Sequence, residues 1–287
     1  MSQTTQQLDD RRAEGSSRHV GDGRTPVQVR RRAAVRRRVT VWGLGVLIPV
    51  VIVAVWQLLS QLVGAYLLPE PLDVARKIVD DASSGAFWGD VWVTLVEVLL
   101  GFVLASLAGA AAAVFVASVP LLERLLMPYI VGFQTLPKIA LAPLITIWVG
   151  YGINSKVVIT ALVAVFPVFV NVLTGFRSID RDALLLMRSL RASRTQTFLK
   201  LKLPAILPYL VAGLNIAIVF AIIGAIVGEF IGSSNGLGSV ILTRQASIDV
   251  AGVFSVLFYL SLIGLALSYL LEGVTRPFLA WSENRDS

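Results

Sequence analysis

The chain has 287 residues, of which 56% are hydrophobic and only 15% are charged, and its mean hydropathy is +0.77. This composition excludes an ordinary soluble domain and indicates an integral membrane protein. The chain has no cysteine and a single histidine, His19, which excludes disulfides, thiolate metal sites and histidine metal clusters. The net charge of +7 lies beside apolar runs rather than in a folded basic domain, so nucleic acid is not an expected partner.

Residues 1–38 are polar, rich in arginine and nearly free of large apolar side chains. This composition is typical of a segment that cannot bury enough surface to fold, so we predict a disordered basic tail in the cytoplasm. The apolar run that follows has no early small-residue cleavage site, which indicates a retained span rather than a signal peptide. The predicted membrane domain is residues 39–281.

Six apolar segments are long enough to cross the hydrocarbon core of a membrane as helices. They are residues 40–66, 92–117, 125–149, 156–176, 205–230 and 252–278. An even number of spans places both termini on one side. Twenty of the 25 lysines and arginines then lie on that side and four lie in the opposite loops. The positive-inside rule therefore predicts a multi-pass protein of the cytoplasmic membrane with both termini in the cytoplasm.

A short helix is predicted between the first two spans. Pro71 suits a first helical turn because its missing N–H is not needed there, and the helix is expected to extend to Ala82. Leu72 and Val79 fall on its apolar face and most of its charged residues on the other, as in an amphipathic helix on the outer surface. A simple spacer between the spans is the alternative.

Glu97 lies inside the second predicted span, where an ionisable residue usually faces the interior of the bundle or a water-filled cavity. An interfacial structural role is the alternative, because Glu97 is only about five residues from the predicted span end. Small residues in the same span form a row suited to close helix packing. They are Gly101, Ala105, Gly109 and Ala112.

The third predicted span is the least regular, with Pro137 and Pro143 six residues apart and Gln134 and Lys138 beside the first proline. Proline leaves backbone carbonyls without partners, and irregular backbone at membrane depth is tolerated mainly where it lines a cavity or is buried in protein. This segment is therefore the predicted pathway. The alternative is that Lys138 extends its ammonium group to the membrane interface.

Polar and small residues also mark the fourth and fifth spans. Asn171 lies on the same helical face as Pro167, and the fifth span contains Asn215 and Glu229. Glu229 falls inside a small-residue row that predicts a close helix neighbour. This row is Gly224, Gly228 and Gly232. A flexible turn is expected over residues 232–238.

The most polar internal stretch, residues 177–204, separates two long apolar runs and carries seven basic residues. Apolar residues nevertheless recur in it at helical spacing, which predicts one apolar and one cationic side. These apolar residues are Leu184, Leu185, Met187, Leu190 and Phe198. A helical hairpin that docks on a cytoplasmic partner is expected. The alternative is a solvated basic loop that follows only the positive-inside rule.

The end of this stretch carries a recognisable pattern. Leu201-Lys202-Leu203-Pro204 is followed by Ala205-Ile206-Leu207-Pro208 and Gly213-Leu214. The pattern resembles the cytoplasmic EAA loop of binding-protein-dependent ABC importers. No segment of the chain matches the GxxxxGK[ST] phosphate-binding loop, so any use of ATP must belong to a partner.

The resemblance continues in residues 227–238 and 134–152 and covers about residues 40–280. In those stretches the chain resembles permeases of the nitrate/sulfonate/taurine type. Lys138 with Ala140-x-Ala142-Pro143 is most similar to the branch assigned to pyrimidine thiamine precursors.

The resemblance implies an all-α integral membrane permease of the type I ABC importer kind, with six transmembrane helices. It implies a pathway enclosed by two permease copies, most simply a homodimer, within membrane lipid. An ATP-binding subunit would hold ATP and magnesium, and an extracytoplasmic binding protein would deliver the solute. The chain itself would carry no catalytic group, metal or cofactor. The implied solute is a small polar organic molecule, either a pyrimidine-like heterocycle or a sulfonate- or nitrate-like anion.

Two sets of residues receive roles. The residues expected to contact the ATPase, within the predicted coupling loop 177–204, are Leu185, Leu186, Met187, Arg188, Leu190, Arg191 and Ala192. The residues expected to line the pathway are Gln134, Lys138, Asn171, Asn215 and Glu229.

The loop departs from the family pattern at two points. Leu185-Leu186-Met187 stands where the family has Glu-Ala-Ala, and Arg191 stands where it has glycine. If that position requires a positive φ, arginine costs about 1 kcal/mol relative to glycine. Asp180 and Asp182 are the nearest acids that could replace the missing glutamate.

Two other functions compete with the importer. The first is an ion-coupled secondary transporter with Glu97, Glu229 and Lys138 as an intramembrane relay, which would transport without an ATPase. The second is a structural scaffold or receptor subunit, which would move no solute.

Overall fold

The computed structural model describes residues 47–64 and 66–279, and every regular element in those ranges is helical. The chain divides into two compact units, residues 1–58 and 59–287. The predicted tail, the start of the first predicted span and the predicted domain boundaries at residues 39 and 281 lie outside the described residues. The first unit is described only from residue 47, where helix α1 begins.

The described helices follow one another with short connections. They are α1 (Leu47–Val63), α2 (Pro71–Ser83), α3 (Gly85–Ser118), α4 (Pro120–Thr135), α5 (Ala142–Val149), α6 (Ile153–Arg177), α7 (Arg181–Ser189), α8 (Arg194–Thr197), α9 (Leu203–Phe230), α10 (Leu237–Ala246) and α11 (Val250–Leu279). A 3-10 turn at Lys138–Leu141 joins α4 to α5, and a π-helical turn at Phe198–Lys202 joins α8 to α9.

Four of these helical segments are long and apolar enough to cross a membrane. They are α3, α6, the continuous helix Arg194–Phe230 and α11. The segments on either side of Pro137 form a fifth candidate span that is bent by 81°. The protein is therefore an all-helical membrane protein with four or five candidate spans in the part that the structure describes. Helix α1 is apolar but shorter, because its described part begins only at Leu47.

Helix α6 lies at the centre of the larger unit and packs closely against α3 and α9. A Cβ atom on Gly109 of α3 would lie 2.7 Å from the carbonyl oxygen of Val165 in α6. A Cβ atom on Gly224 of α9 would lie 2.7 Å from Cα of Thr160 on α6. Glycine is required at such approaches because any side chain would push the helices apart. The predicted small-residue packing is confirmed in both helices.

Two members of the predicted rows differ from expectation. Ala113 is fully buried in the α3 row and Ala112 is exposed, because four-residue spacing from Gly109 leads to residue 113. Gly232 lies beyond the end of α9, and a Cβ atom there would lie 2.8 Å from the Tyr151 ring. Its φ of +157° belongs to the turn that follows α9 and not to the helix.

The short helix between the first two predicted spans is present as α2, with proline at its start. The spacer alternative is wrong, because the Tyr259 hydroxyl of α11 donates a hydrogen bond of 2.8 Å to the carbonyl oxygen of Ile78. The helix is fastened by Val74 and Asp81, which are buried, while Leu72 and Val79 of the predicted apolar face are exposed.

The third predicted span is two helices rather than one. Helix α4 ends at Thr135, and the chain passes through Leu136 and Pro137 in extended or irregular conformation before the 3-10 turn. Proline has no N–H to donate and disfavours a helical conformation in the residue before it, which accounts for the break at this point. The irregular span that the sequence predicts over residues 125–149 is therefore a pair of helices bent by 81° at the first of its two prolines.

Candidate functional site

Residues 181–197 form a helical hairpin, as the sequence predicts. Asp180 begins its first arm, α7, by accepting a hydrogen bond of 3.0 Å from the Asp182 amide. Ser193 and Gln196 form a capping box that begins the second arm, α8. The Asp180 carboxylate is thus used to cap a helix, and whether it replaces the missing loop glutamate stays a prediction.

The turn of the hairpin is a Schellman motif with arginine in the position that usually holds glycine. The Ala192 amide donates to the Met187 carbonyl at 3.0 Å, and the Arg191 amide donates to the Arg188 carbonyl at 2.9 Å. Arg191 has a φ of +53°. The position therefore requires the left-handed conformation on which the expected cost of arginine depends.

The apolar residues of the hairpin do not form one stripe. Leu185, Leu186 and Leu190 are 55%, 60% and 68% exposed, whereas Leu184 and Met187 are half-buried. At 100° per residue, Leu185 and Leu186 of α7 and its C-cap residue Leu190 lie at least 100° around the helix from Leu184. The single apolar side predicted from the sequence is corrected to an inner apolar face and an exposed leucine face.

The inner face borders a cleft of about 810 Å³ between the hairpin and the end of α3. Of the residues expected to contact the ATPase, Arg188 and Ala192 line this cleft. Arg191 is exposed in the turn, and the three exposed leucines point away from the cleft. The hairpin therefore divides the predicted contact residues between two surfaces.

The second arm of the hairpin is continuous with a candidate span. Helix α8, the π-helical turn and α9 form one helix, Arg194–Phe230, of 37 residues. At a rise of 1.5 Å per residue it is about 55 Å long, which exceeds the hydrocarbon thickness of a bilayer. The fifth span was expected to begin at residue 205, but the helix begins eleven residues earlier because the Ser193 capping box starts it. We call Arg194–Phe230 the long helix.

At the other end of the long helix lies a buried cluster of charged residues. Glu97 and Glu229 are both 0% exposed, and Lys156 is 8% exposed. The Lys156 ammonium nitrogen Nζ lies 3.3 Å from Glu97 Oε1 and 2.5 Å from Ser233 Oγ. Glu97 therefore lies inside the packed fold, as the first of the two expectations has it. The structural role at the depth of the membrane interface stays a prediction.

Lys156 is the member of the cluster that sequence reasoning missed. It is the fourth residue of α6 and was counted with a loop, because hydropathy alone places the span boundary at this lysine. The signal that could have found it is its spacing of four residues from Thr160, which puts both on the face that meets the glycines of α9.

Glu97 is neutralised by the ion pair but is poorly supplied with hydrogen bonds. Its two carboxylate oxygens and the Thr160 hydroxyl have no hydrogen-bond donor or acceptor among the described residues. Removing one partner of a buried ion pair leaves an uncompensated charge and costs about 3–5 kcal/mol in general. Lys156 is the cation that offsets the charge of a Glu97 carboxylate at this site.

Glu229 holds the start of α10. Its Oε1 accepts a hydrogen bond of 2.6 Å from the Thr94 hydroxyl, and Oε2 accepts one from the Gly238 amide. Thr94 Oγ1 in turn accepts the Leu237 amide at 2.8 Å, and Asp90 Oδ1 accepts the Gly236 amide at 2.7 Å. The N-terminal amides of α10 are thus satisfied by side chains of α3 and α9.

The glycines of the predicted turn explain how a carboxylate can lie this close to the backbone. A Cβ atom on Gly238 would lie 2.8 Å from Glu229 Oε2. Gly236 has a φ of +102°, and a Cβ atom there would also meet the Glu229 carboxylate. Glycine at both positions therefore leaves room for Glu229 and permits the positive φ.

The other end of α10 is fastened by Arg244. Its guanidinium donates to both Asp81 oxygens, at 2.8 and 2.5 Å, and to the Gly252 carbonyl at 2.7 Å. The hydrogen bonds to Asp81 raise the pKa of Arg244 above its ordinary value. Partial burial works against ionisation of Asp249, but hydrogen bonds from Lys77 and the Gly252 amide hold its pKa below the ordinary value. Residues of α2, α10 and α11 are thereby connected.

The structure does not join the predicted pathway residues to one another. Lys138 Nζ lies 4.7 Å from the centre of the Phe166 ring, and Asn171 donates to the Pro167 carbonyl at 2.8 Å. Gln134 and Asn215 are exposed. No hydrogen bond or ion pair links any two of the five within residues 66–279. Their role in the pathway stays a prediction.

Comparisons with known proteins bear on the whole arrangement. The sequence model of the family described as "Binding-protein-dependent transport system inner membrane component" matches residues 98–276. The formylaminopyrimidine transport permease protein ThiX of Halalkalibacterium halodurans is 32% identical over 235 residues, which are 82% of this chain and 94% of that protein. The riboflavin transport system permease protein RibX of Chloroflexus aurantiacus is 34% identical over 226 residues, 78% of this chain and 84% of that protein. The putative aliphatic sulfonates transport permease protein SsuC of Bacillus subtilis is 29% identical over 242 residues, 84% of this chain and 88% of that protein.

Proposed function

The chain belongs to the family of inner membrane components of binding-protein-dependent transport systems, and from this membership we propose that it carries a small polar organic solute into the cell through a six-span pathway. It is the permease of an ATP-driven importer and not the ATPase subunit. An ATPase and a solute-binding protein are therefore its partners. The family carries no cofactor of its own, so ATP and magnesium belong to the partner subunit.

Family membership overturns the two competing functions. An ion-coupled transporter would need no ATPase, and a scaffold would move no solute. The lysine paired with Glu97 is also Lys156 and not Lys138, the lysine of the proposed relay. The ion-coupled alternative is therefore not proposed again.

We place the contact with the ATPase on the exposed leucine face of the hairpin. The observation that carries this proposal is the exposure of Leu185, Leu186 and Leu190 on an arm joined by one tight turn to the long helix. Exposed apolar residues of this size mark binding surfaces when they lie together. A movement of the hairpin is then passed directly to a span, since no loop intervenes between α8 and α9.

The proposed solute follows from the names of the relatives. Two of the three relatives above are named for nitrogen heterocycles, a formylaminopyrimidine and riboflavin, and one is named for aliphatic sulfonates. A pyrimidine-like heterocycle is therefore the first candidate and a sulfonate- or nitrate-like anion the second. Gln134, Lys138, Asn171 and Asn215 are the proposed pathway residues. Glu229, the fifth residue predicted for the pathway, is not proposed as a solute contact, because it is 0% exposed and its oxygens accept from Thr94 and Gly238.

The proposed permease domain has six spans and works as a pair. Helix α1 extended toward residue 40 supplies the sixth span in this proposal, and both termini lie in the cytoplasm. A single copy cannot enclose a pathway with its exposed polar residues, so a second copy, most simply identical, completes it within membrane lipid. Residues 1–38 are proposed as a basic cytoplasmic tail beside the anionic membrane surface.

The test is uptake into proteoliposomes that contain the permease and its cognate ATPase and binding protein. The wild-type complex is expected to take up at least one of three solutes, a formylaminopyrimidine, riboflavin or an aliphatic sulfonate, and only with ATP.

Leu190→Asp places a charge in a desolvated contact at a cost of about 2–5 kcal/mol. Solute-stimulated ATPase activity should then fall at least about tenfold.

Leu190→Met is the matched control, because it keeps an apolar side chain of similar volume and should retain the activity. Membrane expression of both variants is compared with wild type to exclude a folding defect. Wild-type stimulation of ATPase activity by the Leu190→Asp complex would show that the contact lies elsewhere.

A further inference from the structure

We propose that Glu229 is a positioning residue that connects the long helix to α10, so that a movement of the hairpin at one membrane face displaces α10 at the other. The inference rests on the proposed function, since it needs the ATPase to act on the hairpin. It assigns to a buried carboxylate a role in transmission, in place of a contact with the solute.

The long helix is continuous. No break interrupts the helix between Arg194, beside the hairpin turn, and Phe230. Glu229 lies in its last turn. A helix about 55 Å long places Arg194 and Glu229 near opposite faces of a bilayer. In this proposal the long helix moves as one body, in spite of its π-helical turn and Pro208, so a tilt of the hairpin arm also moves Glu229.

Glu229 is connected to α10 by hydrogen bonds at the N-terminus of that helix. The N-cap residue of α10 is Gly236, which has no side chain to accept the first amides of the helix. The free amides at a helix N-terminus favour an anionic acceptor, and Glu229 supplies one to the Gly238 amide. Thr94 bridges the other carboxylate oxygen to the Leu237 amide. The same carboxylate thus contacts two successive amides of α10, one directly and one through a hydroxyl.

The contact between Glu229 and the start of α10 is fully buried and tightly packed. Glu229 and Leu237 are each 0% exposed, and Thr94 is 1% exposed. Both glycines beside the carboxylate leave less space than a methyl group requires. A displacement of Glu229 must therefore displace the start of α10 or break buried hydrogen bonds, which is costly because water cannot replace them.

The far end of α10 is held independently. Arg244 binds Asp81 of α2 and the Gly252 carbonyl of α11. Helix α10 is therefore fixed at its end by α2 and α11 and at its start by Glu229 and α3. A movement of the long helix would tilt α10 about its Arg244 end. The angle between the long helix and α10 would then change.

The test compares Glu229→Gln with wild type in the complete complex of permease, ATPase and binding protein. The amide keeps the size of the side chain but removes the negative charge. If its oxygen accepts the Gly238 amide, its NH₂ group replaces the oxygen to which the Thr94 hydroxyl donates, and that hydrogen bond is lost. Basal ATPase activity reports docking of the ATPase and should stay within about twofold. Stimulation of ATPase activity by the solute-loaded binding protein should fall at least about tenfold.

A second readout follows α10 itself. The chain has no cysteine, so Gln245→Cys introduces a single thiol on the exposed side of α10. Its rate of reaction with a membrane-impermeant thiol reagent should change when ATP is added to the wild-type complex. In the Glu229→Gln background the rate should be the same with and without ATP. A merely structural role of Glu229 would lower basal and stimulated activity together and leave the ATP response of the thiol intact.

The outcomes separate the two proposals. A wild-type complex that shows no stimulation contradicts the proposed function itself. A stimulated wild-type complex whose Glu229→Gln variant keeps full stimulation and the ATP response contradicts only the role of Glu229. Thr94→Val removes the hydroxyl on α3 that bridges Glu229 to the Leu237 amide. This variant tests the role of Glu229 if Glu229→Gln does not accumulate in the membrane. Thr94→Val must then show the loss of stimulation, or the inference fails.

Discussion

Three buried charged residues in this protein lose free energy of hydration, and their positions determine how the helices around them meet. Glu97, Lys156 and Glu229 place two carboxylates and one ammonium group inside the packed helices, where each charge loses its water. The Lys156 ion pair and the donors to Glu229 offset that loss. Buried charges of this kind contribute little net stability, so their value lies in fixing how α3, α6, α9 and α10 meet.

Arg191 gives a prediction at the same scale. Its φ of +53° is strained for a residue with a side chain, and its position at the C-terminus of α7 is one that glycine usually fills. Arg191→Gly should therefore stabilise the hairpin by about 1 kcal/mol. The expected result is slower hydrogen exchange of the Arg191 and Ala192 amides, which close the turn.

Arg188→Gly provides the control for this prediction. Arg188 lies inside α7, where glycine costs about 1 kcal/mol relative to a good helix former, so exchange should become faster. Faster exchange in Arg191→Gly as well would mean that the arginine side chain stabilises the turn by more than the backbone strain costs.

At the scale of elements, the break between α4 and α5 contains Lys138, one of the predicted pathway residues. The 81° bend places Lys138 in a short 3-10 turn, with its ammonium group over the Phe166 ring of α6. A cation over an aromatic face contributes about 0.5–1 kcal/mol at an exposed site, which is too little to account for a lysine at this position. We therefore keep Lys138 as a predicted pathway residue.

Lys138→Met retains most of the aliphatic stem and removes the charge, so folding should survive. If Lys138 faces the pathway, uptake of the solute should fall at least about tenfold. Lys138→Arg keeps the charge and the cation–π contact and should retain more activity than Lys138→Met. Unchanged uptake in both variants, at wild-type membrane expression, would remove Lys138 from the pathway and support a position at the interface.

Helices and small-residue rows could be predicted because each leaves a local pattern. The hydropathy runs gave α3, α6, α9 and α11, and the glycine spacing gave the contacts of α6 with its neighbours. Two properties had no such pattern. The two faces of the hairpin depend on how α7 lies against α3, and the pairing of Glu97 with Lys156 joins residues that lie on different helices.

At the scale of the whole molecule, the main feature of the larger unit is the long helix, Arg194–Phe230. The hairpin lies at one end of the long helix, and Glu229 with α10 lies at the other. The inner core of α3, α6 and α9 is held by glycine contacts that allow little independent movement. The sequence has no phosphate-binding loop, so we expect the chain to respond to ATP used by its partner by moving whole helices.

The proposed contact between the hairpin and the ATPase requires that the hairpin faces the cytoplasm and that the turn after α9 faces outward. Because the chain has no cysteine, Ser193→Cys and Ser234→Cys each introduce a single thiol, one in the hairpin turn and one in the exposed turn before α10. A membrane-impermeant thiol reagent should label Ser234→Cys in intact cells and Ser193→Cys only after the cells are opened. Labelling of Ser193→Cys in intact cells would contradict the orientation and, with it, the contact between the hairpin and the ATPase.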